Sequence, residues 1–382
     1  MDFYRFRLPG FERPYARRPR SRGLIVVIDT TKKPSFQREE SAAEITELAR
    51  SAGTQILGTI YAYIPHPSPS HFLREGKLHE VYQAAARLGA NVLILSIDLS
   101  PTQAGNIERF TKLPVMDRTG LILEIFGNRA QSNEGRLQVE LAQLEYALPR
   151  LSGLGTVMSR LGGGVGTRGP GEKELERDRR KVRRMIQQVK KRIENVRQHR
   201  ALLRAGRKRK QFMTIALVGY TNAGKSMLLN ALTGSSALVE DKMFATLDPK
   251  VRIQAMNGER NLLFVDTVGF LKDLPHKLIQ SFHATLEEAS HADFLIHVLD
   301  IANENFASLK LEVEKVLKEI NAAEKPMILA LNKADLVSDS YAQHVQKLFP
   351  DGVLISAKKK WGLNHLLFRV HDLAKAVRHQ FI

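Results

Sequence analysis

Over residues 23 to about 117 short apolar runs alternate with amphipathic stretches: Leu24 to Ile28, a helix-like segment near Glu40 to Ser51, Gln55 to Ile64, another near Lys77 to Leu88, then Val92 to Ile97. That alternation predicts a small parallel α/β sheet. Farther on the period changes. Leu137, Leu141, Leu144, Leu148 and Leu151 recur at alternating spacings of four and three, and Leu175, Val182, Ile186, Val189, Ile193, Val196 and Leu203 keep the same frame. Heptads of this kind predict two helices that pair antiparallel as a coiled-coil hairpin, joined by a tip at Leu161 to Gly171. Short apolar runs then return at Met213 to Val218, Leu262 to Val265, Met327 to Leu331 and Val353 to Ile355, with a helix-like stretch at Met227 to Leu232. The fold class expected is α/β, in four segments: an arm at 1–22, an α/β domain at 23–135, a helical hairpin at 136–210 and a doubly wound, mostly parallel domain at 211–382.

Chemistry gathers at the ends of the last runs. Gly219 to Ser226 reads GYTNAGKS, the G-x-x-x-x-G-K-S pattern, directly after one apolar run and before a helix. The pattern needs that setting, because its glycines let backbone N–H groups and a helix N-terminus converge on a phosphate. Gly219, Tyr220, Thr221, Asn222, Ala223 and Gly224 would form the cradle, Lys225 would reach the β and γ phosphates, and Ser226 would ligate Mg²⁺. Asp266 closes the next run in DTVG, where a carboxylate can hold the metal's water shell and Gly269 can offer a bare N–H to a γ-phosphate. Thr246, with Phe244 in FATLDP, lies between these motifs, where a hydroxyl could close on Mg²⁺ from the other side. Asn332, Lys333 and Asp335 follow Met327 to Leu331 as NKAD. A carboxylate at 335 accepts from both N1–H and the exocyclic amine of guanine, which adenine lacks, so Asp335 selects GTP or GDP over ATP. Ser356, Ala357 and Lys358 (SAK) would bring backbone N–H groups to guanine O6.

Charge adds a partner. The net charge is +18, yet residues 160–210 hold 19 Lys/Arg against 5 Asp/Glu and residues 1–22 hold seven Arg against two acids. The rest of the chain is close to neutral. An excess so confined is the footprint of a polyanion such as RNA, against the alternative of a merely solvated helix face. The arm carries acids and prolines that argue against an amphipathic import helix, and it reads as a disordered basic arm. The absence of cysteine excludes thiolate metal sites and a Cys nucleophile and fits a reducing, cytoplasmic setting. No apolar run approaches the ~18 residues of a membrane span. Gly164 to Gly169 is a formal G-x-G-x-x-G, but it lies between heptad helices and not after a strand, which excludes the dinucleotide reading. A loop poor in side chains, with Arg160 and Arg168 to supply phosphate contacts, suits close approach to a curved phosphate-bearing partner instead.

The five motifs resemble those of translation-factor-like GTPases, and the remaining stretches resemble the HflX family in particular: DRTGLILEIFGNRA at 117–130, GRLQVELAQLEYALPRL at 135–151, GGGVGTRGPGEKELERDRR at 162–180, and residues 266–288 with LPH and TLEE. The resemblance implies a monomeric GTPase that binds the large ribosomal subunit and its rRNA through residues 160–210 and the N-terminal domain, with no DNA partner. It implies ribosome splitting and rescue, with a GTP-gated role in large-subunit assembly and nucleotide-driven RNA remodelling as the alternatives. Asn222 resembles the asparagine that helps hold K⁺ in some such enzymes. Residue 270 is Phe where many signalling GTPases place a water-orienting Gln, so hydrolysis is expected to be slow alone, roughly 10⁻² s⁻¹ or below, and stimulated by a partner; packing beneath the second switch is the other reading of that ring. One departure stands at FLREGKLHEV, where Arg74 replaces the first glycine of a Gly-x-Gly-Lys segment.

Overall fold

A computed structural model of the chain describes residues 21–32, 35–151, 170–209, 212–234, 250–256, 259–270 and 288–379. The basic arm up to residue 20, almost all of the expected tip, Phe244 and Thr246 lie outside these, and Arg22, read from sequence as the arm's last residue, instead opens the first strand. The chain divides into two compact units, residues 1–128 with 140–189 and residues 129–139 with 190–382.

In the first unit, β1 (Arg22–Asp29), β2 (Gln55–Tyr63), β3 (Val92–Leu95) and β4 (Val115–Met116) form a parallel sheet in the order β2-β1-β3-β4. Every residue of β1 after Arg22 is buried, which is why its sequence is an unbroken apolar run: crossover helices cover both faces of a parallel strand. Those helices are α1 (Ser35–Ser51), α2 (Glu75–Leu88) and α3 (Pro101–Thr111). Arg74 takes the position before the first residue of α2 in an extended conformation, where no glycine is required. Ser100 and Gln103 close a reciprocal capping box at α3, with Pro101 at the first helical position. Leu24, Val26, Leu78, Val81, Leu93 and Ile107 meet in the core of this unit.

Next come α4 (Arg118–Arg129), α5 (Asn133–Arg150) and α6 (Pro170–Arg209). Asp117, just before α4, is buried and accepts from the Tyr146 hydroxyl at 2.7 Å, from Arg150 Nη2 at 2.7 Å and from the Gly120 N–H at 2.8 Å. Burial pushes its pKa up against the pull of these partners. The α6 helix runs unbroken for 40 residues, and Pro170 and Gly171, read from sequence as the end of the tip, are its first turn. Its heptad residues Val182, Ile186, Val189 and Ile193 are buried.

The second unit holds β5 (Met213–Val218), α7 (Lys225–Thr233), β6 (Lys250–Met256), β7 (Glu259–Asp266), β8 (Phe294–Asp300), α8 (Phe306–Glu319), β9 (Met327–Asn332), α9 (Asp339–Leu348), β10 (Val353–Leu354) and α10 (Leu363–His379). The strand order is β10-β9-β8-β5-β7-β6, parallel except for the β6–β7 hairpin. From β5 the chain builds first to one side, through β7, and then to the other, through β8. That reversal opens a crevice at the carboxyl end of β5, where ligands bind in doubly wound sheets.

Candidate functional site

The motif residues converge on that crevice because each follows the carboxyl end of a strand. Gly219 to Gly224 leave β5, Asp266 ends β7, Asn332 ends β9, and Ser356 follows β10. The phosphate-type loop is held by close approaches that only glycine permits. A Cβ on Gly219, whose φ is +153°, would come within 2.3 Å of the Val298 carbonyl oxygen; one on Gly224, φ +95°, would lie 2.3 Å from Asn332 Nδ2. The same Asn332 amide donates to the Ala223 carbonyl at 2.8 Å, and its Oδ1 accepts from the Ala357 N–H at 3.0 Å. Asn332 thereby ties three of the five motifs together.

Lys225 opens α7 behind Gly224 and is buried, its Nζ donating to the carbonyls of Gly219 at 3.0 Å and Tyr220 at 2.8 Å. Burial brings its pKa down to about 8, with the Asp266 carboxylate pulling the other way. Ser226, next along α7, donates to Asp266 Oδ2 at 2.6 Å, and Asp266 is wholly buried. A hydroxyl and a carboxylate in contact at the mouth of a lysine-bearing loop form the hard-oxygen pair that a divalent cation takes. Thr221 is buried, and its hydroxyl makes no hydrogen bond among the described residues. Asn222 stands at the loop's exposed crest with φ +62°.

DTVG is fastened to the loop it faces. The Thr267 hydroxyl donates to the Leu217 carbonyl at 2.7 Å, and Gly269 lies so near the loop that a Cβ there would sit 2.8 Å from Thr221 Cα and 2.9 Å from Lys225 Nζ. Phe270 is buried, donating its N–H to the Gly219 carbonyl at 3.1 Å and accepting from the Thr221 N–H at 2.8 Å. It shares a buried cluster with Val218, Ala289, Ala292 and Leu295, which bears out the packing reading and is compatible with a switch that a partner stimulates.

On the base side, Asp335 accepts from the Ser356 hydroxyl at 2.6 Å, and the same hydroxyl oxygen accepts from the Lys359 N–H at 3.0 Å. Lys333, with φ +64°, pairs with Asp300 at 2.8 Å. Lys358 is exposed. Asp300 went unremarked in the sequence although its signal was there, a carboxylate closing an apolar run. So did Gly362, whose φ of +70° and absent Cβ let the turn after SAK pass the Leu354 carbonyl. No helix among the described residues is long and apolar enough to cross a membrane.

Comparison with known proteins agrees with this geometry. Three family models match in succession: GTP-binding GTPase N-terminal over residues 39–127, GTP-binding GTPase Middle Region over 129–207, and 50S ribosome-binding GTPase over 214–333. GTPase HflX of Caldanaerobacter subterraneus subsp. tengcongensis is 44% identical over 354 residues, covering 92% of this chain and 80% of the relative. GTPase HflX of Escherichia coli K12 is 43% identical over 300 residues, covering 78% and 70%. Among solved structures, the complex of SsGBP with GDP aligns with a TM-score of 0.53 at 27% identity, covering 93% of this chain and 99% of that one.

Proposed function

Because this chain belongs to the HflX family and is a GTP-binding, GTP-hydrolysing enzyme, we propose that it acts on the large ribosomal subunit, docking through α6 and the N-terminal sheet domain and, in its GTP form, driving ribosomal subunits apart. The observation that carries this reading is the division of α6. One seam is apolar and buried, while Arg177, Arg180, Lys181, Arg183, Arg184 and Arg192 stand exposed around it. Glu176 ion-pairs with Arg180 at 3.2 Å and with Arg183 at 4.0 Å, and the large excess of positive charge that is left favours a polyanion as partner.

In the pocket, Lys225 would exchange its two carbonyl partners for β and γ phosphate oxygens, and Gly269 would offer its N–H to the γ phosphate. Asp335, Asn332 and the backbone at Ala357 and Lys358 would read guanine. Ser226 would hold Mg²⁺ together with Thr246, Asp266 ordering the metal's water; bound there, the cation would neutralise charge that develops on the transferring phosphoryl group. Asn222, exposed at the crest, would hold K⁺ beside the same phosphates, and equal hydrolysis rates in K⁺ and Na⁺ would remove that part of the reading. With Phe270 in the core, no side chain at 270 orients water, so the ribosome must complete the site. Soluble action in the cytoplasm as a monomer follows from the same reading.

Sucrose gradients test it. Mature ribosomes should separate into subunits when the protein is added with a non-hydrolysable GTP analogue and stay joined with GDP. Binding confined to precursor particles would replace splitting with the assembly role, and no association under either nucleotide would remove both. Neutralising Arg177, Arg179, Arg180, Arg183 and Arg184 together should weaken subunit binding and flatten its salt dependence while GTP affinity holds.

A further inference from the structure

We propose that Arg200 is a positioning residue that couples the nucleotide pocket to the basic helix. Arg200 lies on α6, and its guanidinium bridges two carboxylates: Nη1 reaches Glu134 Oε1 on the first turn of α5 at 3.0 Å, and Nη2 reaches Glu288 Oε1 at 3.5 Å. All three side chains are largely withdrawn from water, at 16%, 13% and 6% exposure. Pairs so screened from solvent respond sharply to small displacements.

Glu288 leads straight back to the pocket. The Glu288 carbonyl accepts from the Ala292 N–H at 3.0 Å, closing a helical turn whose Ala289 and Ala292 pack against Phe270. Phe270 is hydrogen-bonded through its backbone to Gly219 and Thr221, and it directly follows the Gly269 that faces Lys225. Any movement of Gly269 on gain or loss of a γ-phosphate therefore passes through Phe270 into the turn that carries Glu288. Glu134 also accepts from Gln138 Nε2 at 3.2 Å, and the Arg200–Glu288 contact, at 3.5 Å, has a length at which a shift of about an ångström makes or breaks it as a hydrogen bond. A change in how Arg200 is held is therefore felt on α6 itself, the helix that also bears the exposed arginines. Packed continuity of this kind is coupling only if both sites bias one element, and here that element is the Arg200–Glu288 pair.

This rests on the nucleotide reading above but needs no ribosome to test. Amide hydrogen exchange over residues 195–205 of the full chain would be compared with GDP and with a non-hydrolysable GTP analogue, in wild type, Arg200→Met, Glu288→Gln and Arg200→Lys. Expected is a difference between the two nucleotides of roughly fivefold or more in wild type. It should fall below about twofold in Arg200→Met and Glu288→Gln, which still bind both nucleotides, and be partly retained in Arg200→Lys. A merely structural arginine would raise exchange equally in both forms and leave their ratio intact. A wild-type ratio near one, or a ratio that survives in Arg200→Met, overturns the proposal. A wild-type chain that binds neither nucleotide overturns the nucleotide reading and the coupling with it.

Discussion

His297→Leu should leave the nucleotide-binding unit as stable as wild type or more so at pH 7, and should remove part of its sensitivity to acid. His297 lies in β8 beside Val218, with no exposed surface, and neither ring nitrogen has a hydrogen-bond partner among the described residues. Burial, then the positive charges of Lys310 and Lys225, hold its pKa down to about 3. The unfolded chain keeps the ordinary value near 6.5. Between those two values the unfolded state carries a proton that the folded state refuses, so stability falls as pH drops below about 6.5, at up to ~1.36 kcal/mol per unit. By pH 4.5 the loss from this ring is about 2.7 kcal/mol. Above pH 6.5 the penalty is absent, but the neutral ring still holds unsatisfied polar atoms that cost ~1–3 kcal/mol when buried. Leucine, of similar bulk and without polar atoms, avoids both costs. The protein has a single tryptophan, Trp361, in the same unit, so urea unfolding followed by its fluorescence isolates the relevant transition. Wild type and variant would be compared at pH 6.5 and pH 4.5, the carboxylates common to both cancelling in the difference. If both lose the same stability between the two pH values, the reasoning about this histidine fails.

Three further outcomes follow from the pocket and from the first unit. Asp335→Asn should shift preference from guanine toward xanthine nucleotides, since an amide cannot accept both guanine protons, and competition binding with XDP against GDP reads this directly. Gly224→Ala places a methyl 2.3 Å from Asn332 Nδ2; the tie from Asn332 to Ala223 must break, and GDP affinity by calorimetry should fall at least tenfold, about 1.4 kcal/mol, more than in Gly76→Ala, where a Cβ would meet nothing within 4 Å. Asp117→Asn should destabilise the first unit by about 3–5 kcal/mol by leaving Arg150 without its carboxylate, seen as a lower far-ultraviolet melting transition while GDP binding holds.

The parts of the site that were legible in the sequence are those in which a short motif interrupts a buried strand. Gly219 to Ser226, Asp266 to Gly269 and Asn332 to Asp335 each follow an apolar run, and parallel strands align their carboxyl ends, so spacing alone brought these residues to one crevice. Less legible were elements whose signals are weak or local. The two-residue strand Val115–Met116 is too short for any period. The helix Pro101–Thr111 announces itself only through its Ser100–Gln103 cap, and the β6–β7 hairpin went unread although β6 alternates strictly, Val251, Ile253 and Ala255 interleaved with Lys250, Arg252 and Gln254.

Least legible of all were contacts between residues far apart in sequence and chemically ordinary in isolation. Arg200 is one of 19 basic residues between 160 and 210, and by composition nothing distinguishes it from the arginines proposed to meet a polyanion. The structure separates it from them: Arg177, Arg180 and Arg183 face solvent, whereas Arg200 is withdrawn between Glu134 and Glu288. A charge run can thus contain two kinds of residue, those that attract a polyanion from a distance and one that spends its charge inside the protein. The first kind should be interchangeable, each contributing a similar increment to a salt-dependent affinity. The second should not, because one of its partners, Glu288, lies on a turn whose alanines share a buried cluster with Phe270, the residue after the glycine that faces Lys225.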